Sequence, residues 1–127
     1  VTRNGHNDIV VGGATGRRLD HSLGNLCALV KFSRKARIRF VDDASELCFV
    51  GPECEFEESP GTVVSLIPLS LCEGIVTHGL KWELKNESLK LGFRESTSNV
   101  VKSSPVSIRV RRGDLLLFIV RSEKTLL

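Results

Sequence analysis

From Ala44 to the end of this 127-residue chain no helical period survives, and short runs rich in β-branched and apolar residues recur about every ten positions, separated by turn residues. That rhythm admits few folds, because many short strands in close succession are buried most readily as an antiparallel sandwich. Candidate strands are 46–50, 53–57, 62–68, 74–77, 80–84, 89–93, 106–111 and 115–121, with turns at Ser59-Pro60-Gly61, Lys85-Asn86-Glu87 and Arg112-Gly113-Asp114. The last two strands read as a hairpin around Gly113-Asp114. Its first arm alternates, whereas its second, Leu115 to Val120, is apolar throughout and is expected to be buried on both faces.

The first 43 residues follow another pattern. Asp8-Ile9-Val10-Val11-Gly12-Gly13 is a β-branched run ending in glycines, and Ala14-Thr15-Gly16-Arg17-Arg18 is a basic connection. A helix follows, with Asp20 as its expected N-cap and Leu19, Leu23, Leu26, Cys27 and Val30 as its apolar stripe. Gly24 inside it suggests close packing against another backbone, since glycine there costs about 1 kcal/mol relative to alanine. Arg37 to Val41 alternates as a further strand. Strand, helix, strand is one βαβ unit, whose remaining partner strands are expected upstream or from another chain. The expected fold class is therefore mostly β: an antiparallel β-sandwich over 44–127, preceded by a βαβ remnant of an α/β nucleotide-binding domain over 1–43.

Composition narrows the function classes. The longest apolar run has no chance of spanning a bilayer, which takes about 20 residues, and a net charge of +3 is too mild to argue for nucleic acid. None of Cys27, Cys48, Cys54 and Cys72 forms a C-x-x-C pair, so four reduced, mostly buried thiols in a cytoplasmic protein are expected. The three histidines lie far apart and match no metal-binding spacing. There is no methionine and the chain begins Val1-Thr2-Arg3, which points to an upstream segment.

Four features can carry chemistry. Gly12-Gly13-Ala14-Thr15-Gly16 lies between a strand and a helix, where free N–H groups and the positive helix end suit a phosphate, although it fits neither G-x-G-x-x-G nor a P-loop. Arg17-Arg18-Leu19-Asp20-His21 gathers two guanidiniums, a carboxylate and an imidazole at the helix start, for a phosphate with a bridging Mg²⁺ or simply for a capped helix. Trp82, the sole tryptophan, is either a core residue or a stacking surface for a flat or cationic ring. Glu95-Ser96-Thr97-Ser98-Asn99 reads as a turn or as a set of small donors and acceptors for a heterocycle's edge.

Gly13-Ala14-Thr15-Gly16-Arg17-Arg18-Leu19-Asp20-His21, Val64-Ser65-Leu66-Ile67-Pro68-Leu69, Gly79-Leu80-Lys81-Trp82, Ser96-Thr97-Ser98-Asn99 and the apolar end after Gly113 resemble, in order and spacing, the thiamin pyrophosphokinase family. The resemblance implies transfer of diphosphate from ATP to the hydroxyl of thiamin, with Mg²⁺ required. It also implies a homodimer in which thiamin lies between the α/β domain of one subunit and the sandwich of the other. It makes Gly13, Thr15 and Gly16 phosphate-binding, puts Asp20 near the thiamin hydroxyl or the metal, and has Arg18 steady phosphate charge. Trp82 is then the ring that packs on thiamin, and Ser96, Ser98 and Asn99 lie beside its pyrimidine. Arg17 stands where the family often has a second glycine. The family's upstream Gly-Asp-x-Asp-Ser stretch, which serves the metal and nucleotide, does not occur in these residues, so the piece alone is expected to be inactive. Two other functions fit some of the same residues: a pterin-type diphosphokinase, and a non-catalytic sandwich binding module. Neither nucleic acid nor membrane is an expected partner.

Overall fold

Six consecutive apolar residues, Leu115 to Val120, can all leave water only in a strand covered on both faces, and the fold is built around that requirement. The computed structural model describes residues 8–12, 19–32, 37–41 and 45–120. In chain order these form β1 (Asp8–Gly12), α1 (Leu19–Phe32), β2 (Arg37–Val41), β3 (Ser45–Val50), β4 (Glu53–Phe56), β5 (Val63–Pro68), β6 (Cys72–His78), β7 (Lys85–Leu89), β8 (Ser96–Val100), β9 (Val106–Arg109) and β10 (Leu115–Val120). Two sheets result, one of six strands in the order β1-β2-β3-β10-β5-β8 and one of four in the order β4-β9-β6-β7. All pairings are antiparallel except β1 with β2, the parallel pair joined through α1.

β10 runs between β3 and β5. Its alternate residues Leu115, Leu117 and Ile119 join Val64 and Leu66 of β5, Ile75 of β6 and Ile108 of β9 in the core between the sheets. Leu116 faces the other way, into a smaller cluster with Leu29 of α1, Phe40 of β2 and Leu47 of β3. The helix thus closes the outer face of the same strand whose inner face the four-stranded sheet closes. This is the mostly β sandwich with a leading βαβ unit that the strand rhythm requires.

Several local expectations are corrected. Residues 106–111 and 115–121 do not form a hairpin, because β9 pairs with β4 and β6 in one sheet while β10 belongs to the other. The chain crosses between sheets here, with Gly113 at φ +107°, where a Cβ would run into the backbone of Leu71 and Cys72. The βαβ unit finds one partner within this chain, since β2 also pairs with β3. The sheet therefore runs on across residue 44. The buried face of α1 centres on Leu26 and Leu29, while Leu23 and Cys27 are exposed. Leucines on two sides of one helix leave the choice of face to the sheet beneath it. Among the described residues nothing lies within 4 Å of a Cβ placed at Gly24, and Asp20 lies inside the first turn of α1 rather than at its N-cap, at the end where a carboxylate suits the dipole. Of the cysteines only Cys72 is buried, and that burial pushes its thiol above the ordinary value.

The largest departure lies at 80–93. Leu80–Leu84 is a tied link rather than a strand, and the expected turn Lys85-Asn86-Glu87 lies within β7. Asn86 has φ +58° and sits where the register with β6 shifts, so its turn chemistry serves a β-bulge.

Candidate functional site

β7 and β8 are the edge strands of their respective sheets, and a cleft of about 280 Å³ opens beside them. Trp82, Glu83 and Leu84 of the segment before β7, with Leu89 of β7, line it on one side, and Arg94, Glu95, Ser96, Thr97 and Asn99 from the approach to β8 and the strand itself on the other. The volume is near the lower end for ligand clefts, roughly 300–1,000 Å³.

β8 owes its shape to a bulge. Val64 of β5 opposes Asn99 and Leu66 opposes Ser96, so two residues, Thr97 and Ser98, face the single Ser65. Ser98 absorbs the extra length at φ +54°, and its N–H donates to Ser65 Oγ at 2.9 Å. Ser96 and Asn99, three apart, would point to opposite faces of a regular strand. The bulge brings them together, and Asn99 Nδ2 donates to Ser96 Oγ at 3.4 Å.

Asn99, only 1% exposed, spends the rest of its amide on the backbone. Its Oδ1 accepts the N–H of Trp82 at 3.1 Å and that of Val100 at 2.9 Å, and its Nδ2 donates to the Trp82 carbonyl at 2.7 Å. Both backbone groups of Trp82 are thereby fixed from the β8 side. Lys81 N–H donates to the Val100 carbonyl and Lys102 N–H to that of Gly79, so the link between β6 and β7 is laced to the end of β8. Gly79 has φ +96°, and a Cβ there would lie 2.5 Å from Ser103 O, which reserves the position for glycine.

The Trp82 side chain faces out, 56% exposed, which excludes the core reading. Lys81 Nζ lies 4.7 Å from the ring centroid, within cation–π range. Arg94 at the rim pairs with Glu87 at 2.8 Å. The N–H of Lys85, then the Arg94 guanidinium, hold the Glu87 carboxyl below the ordinary carboxylate range. Glu83 and Glu95 also line the cleft, so with Lys81 over the ring and Arg94 at the rim its walls carry side chains of both signs.

The structure brings Trp82, Ser96 and Asn99 to one place. Ser98 sits on the bulge beside them and does not line the cleft. Arg18, Gly13, Thr15 and Gly16 lie outside the described residues. Asp20 is exposed in the first turn of α1, which follows β1, and β1 stands five strand spacings from β8, about 24 Å across the sheet. One copy of the chain therefore does not place its β1 edge at this cleft. Sequence reasoning missed Thr77, Glu83 and Arg94, whose partners are set by the link and the turn at 90–94 rather than by any periodicity. Among the described residues no three of His, Cys, Asp and Glu gather as a metal site. Nor is any described helix long and apolar enough to cross a membrane.

The profile of the thiamin pyrophosphokinase vitamin B1 binding domain matches residues 53–115, a span that contains the whole cleft. The chain is similar to thiamine pyrophosphokinase 1 of Oryza sativa subsp. japonica, 38% identical over 107 residues, covering 79% of this chain and 40% of that protein. It is likewise similar to thiamine pyrophosphokinase 2 of Arabidopsis thaliana, 32% identical over 124 residues, covering 92% of this chain and 45% of that one. Among solved structures, thiamine pyrophosphokinase from Bacillus subtilis superposes with a TM-score of 0.83 at 27% identity, covering 91% of this chain and 56% of that one. The chain spans less than half the length of the curated relatives it matches.

Proposed function

The chain belongs to the thiamin pyrophosphokinase family, and on that premise we propose that its edge cleft holds thiamin for diphosphate transfer from ATP to the thiamin hydroxyl, giving thiamin diphosphate and AMP. The observation that carries this reading is the setting of Trp82, an exposed ring whose backbone is fixed on both sides above a cleft with acidic side chains. Thiamin joins a flat pyrimidine to a cationic thiazolium, and an aromatic face beside carboxylates suits both halves. Ser96 and Thr97 offer hydroxyls to the heterocycle's edge, while Asn99 acts by holding Trp82.

Diphosphoryl transfer asks a protein for positioning and charge neutralisation rather than for a covalent nucleophile. In this proposal Gly13, Thr15 and Gly16 bind phosphate, Arg18 steadies its charge, and Asp20 stands near the accepting hydroxyl or the metal. Magnesium is bound by one or two carboxylates plus substrate phosphates, and in this proposal Asp20 would be one such carboxylate. When bound, the ion would neutralise phosphate charge. The distance between the β1 edge and the cleft supports a homodimer in which one subunit's helix end faces its partner's cleft. The setting is proposed to be cytoplasmic.

The test is chromatographic detection of AMP and thiamin diphosphate from ATP, Mg²⁺ and thiamin. The full reading frame is expected to turn over, the 127-residue chain alone is expected to be silent, and Asp20→Asn in the full frame should lose far more than twofold. Turnover by the short chain would overturn the need for further carboxylates. Silence of both would overturn the assigned reaction.

A further inference from the structure

Trp82 is carried on a six-residue link, 79–84, between β6 and β7. Glu83, the next residue, turns its carboxylate into that link. Its Oε1 accepts the Thr77 hydroxyl at 2.7 Å and the N–H of Leu80 at 3.2 Å, and its Oε2 accepts the N–H of Gly79 at 2.9 Å. Thr77, 2% exposed on β6, in turn accepts the N–H of Leu84 at 2.9 Å through the same hydroxyl. The two side chains thus tie residues 79, 80 and 84 to each other and to β6. Asn99 fixes Trp82 from the opposite side, so the residue bearing the ring is held at both flanks.

We propose that Glu83 is a positioning residue, which, through Thr77, sets the link so that Trp82 presents its ring to the ligand of the cleft before that ligand arrives. The proposal rests on the reading of the cleft as a thiamin site. A ring on a loose surface link would have to be ordered on binding, and prior ordering removes that cost from the affinity. Both carboxylate oxygens face backbone and hydroxyl donors, and an anionic acceptor there makes stronger bonds than an amide would. Glutamine at 83 would keep the volume but set an NH₂ donor against a donor of the link. Valine at 77 would keep the shape but leave Glu83 Oε1 and the Leu84 N–H each without the hydroxyl.

The sequence supplies the probe, since Trp82 is the only tryptophan and there is no tyrosine. Intrinsic fluorescence of the chain reads Trp82 alone. Time-resolved anisotropy without ligand measures the ring's local motion, and quenching by added thiamin measures affinity. Thermal unfolding of each variant confirms that it is folded. In Glu83→Gln and Thr77→Val the amplitude of fast depolarisation is expected to rise clearly and the thiamin Kd to rise about tenfold, while Thr77→Ser keeps both near wild type. If Glu83→Gln fails to fold, the Thr77 pair decides. Wild-type motion and affinity in the folded variants would overturn the proposal, as would an equal loss in Thr77→Ser and Thr77→Val. Absence of thiamin binding by the wild-type chain would instead overturn the thiamin reading, and the ligand-free anisotropy would still decide whether Glu83 holds the ring.

Discussion

β10 and β8 belong to the same sheet with only β5 between them, yet they do opposite work. β10 has a neighbour on each side, a sheet under one face and a helix over the other, and four of its six residues are buried. β8 is an edge strand interrupted by a bulge, and of its five residues only Asn99 is buried. A covered central strand demands apolar residues and tolerates no irregularity. An edge strand is free to carry small polar side chains and a left-handed residue, and that freedom is what shapes a cleft. Burial is concentrated at β10, whereas the geometry of the cleft depends on β8 and the link it holds.

Substitutions in the two strands should separate accordingly. Leu117, 1% exposed in the core between the sheets, marks the stable side. Leu117→Ala is expected to cost about 2–5 kcal/mol in urea unfolding, with the thiamin Kd of the folded fraction unchanged. A weakened Kd there would break the separation. Asn99→Ala removes the bonds to both backbone groups of Trp82, and is expected to cost about 1–3 kcal/mol together with a clear loss of thiamin affinity. An affinity loss without any stability change would mean that Asn99 contacts the ligand directly.

A smaller effect is expected from Glu87 beneath the 90–94 turn. Its carboxyl is depressed in the folded state, so its stabilising contribution is present above the unfolded pKa and fades as pH falls through the folded value. The difference in unfolding between wild type and Glu87→Gln should therefore be full at about pH 7 and shrink steadily as the pH is lowered below the ordinary carboxylate range. A difference that persists in acid would show that the tie to Arg94 does not depend on the charge.

The same contrast explains how much was legible in the sequence. β10 could be read with its burial, because a run of six apolar residues has one physical solution. The alternation of β5 was equally plain, and its inner residues Val64 and Leu66 are buried as that pattern requires. What misled was turn chemistry used inside strands: Asn86 marks a bulge in β7 and Ser98 one in β8, and a bulge cannot be told from a turn without the partner strand. Gly113 signals a reversal whether the chain returns to the same sheet or crosses to the other. Trp82 sits among neighbours that alternate as in a strand but belong to a tied link, so no period tells core from surface there. The donor-rich segment around Asn99 suits a ligand's edge, but the Asn99 amide bonds turn to Trp82, Val100 and Ser96. The ties made by Glu83 and Thr77 join residues whose nearness comes from that link's path, which no period encodes.

The most direct test is calorimetric titration of thiamin into the chain and into Trp82→Ala, with urea unfolding of both. An exposed stacking ring predicts folding stability within about 0.5 kcal/mol of wild type and affinity weakened by roughly 2- to 30-fold, the range that stacking and cation–π contacts allow. Equal affinity in the two proteins would contradict the assignment of the edge cleft as the thiamin site.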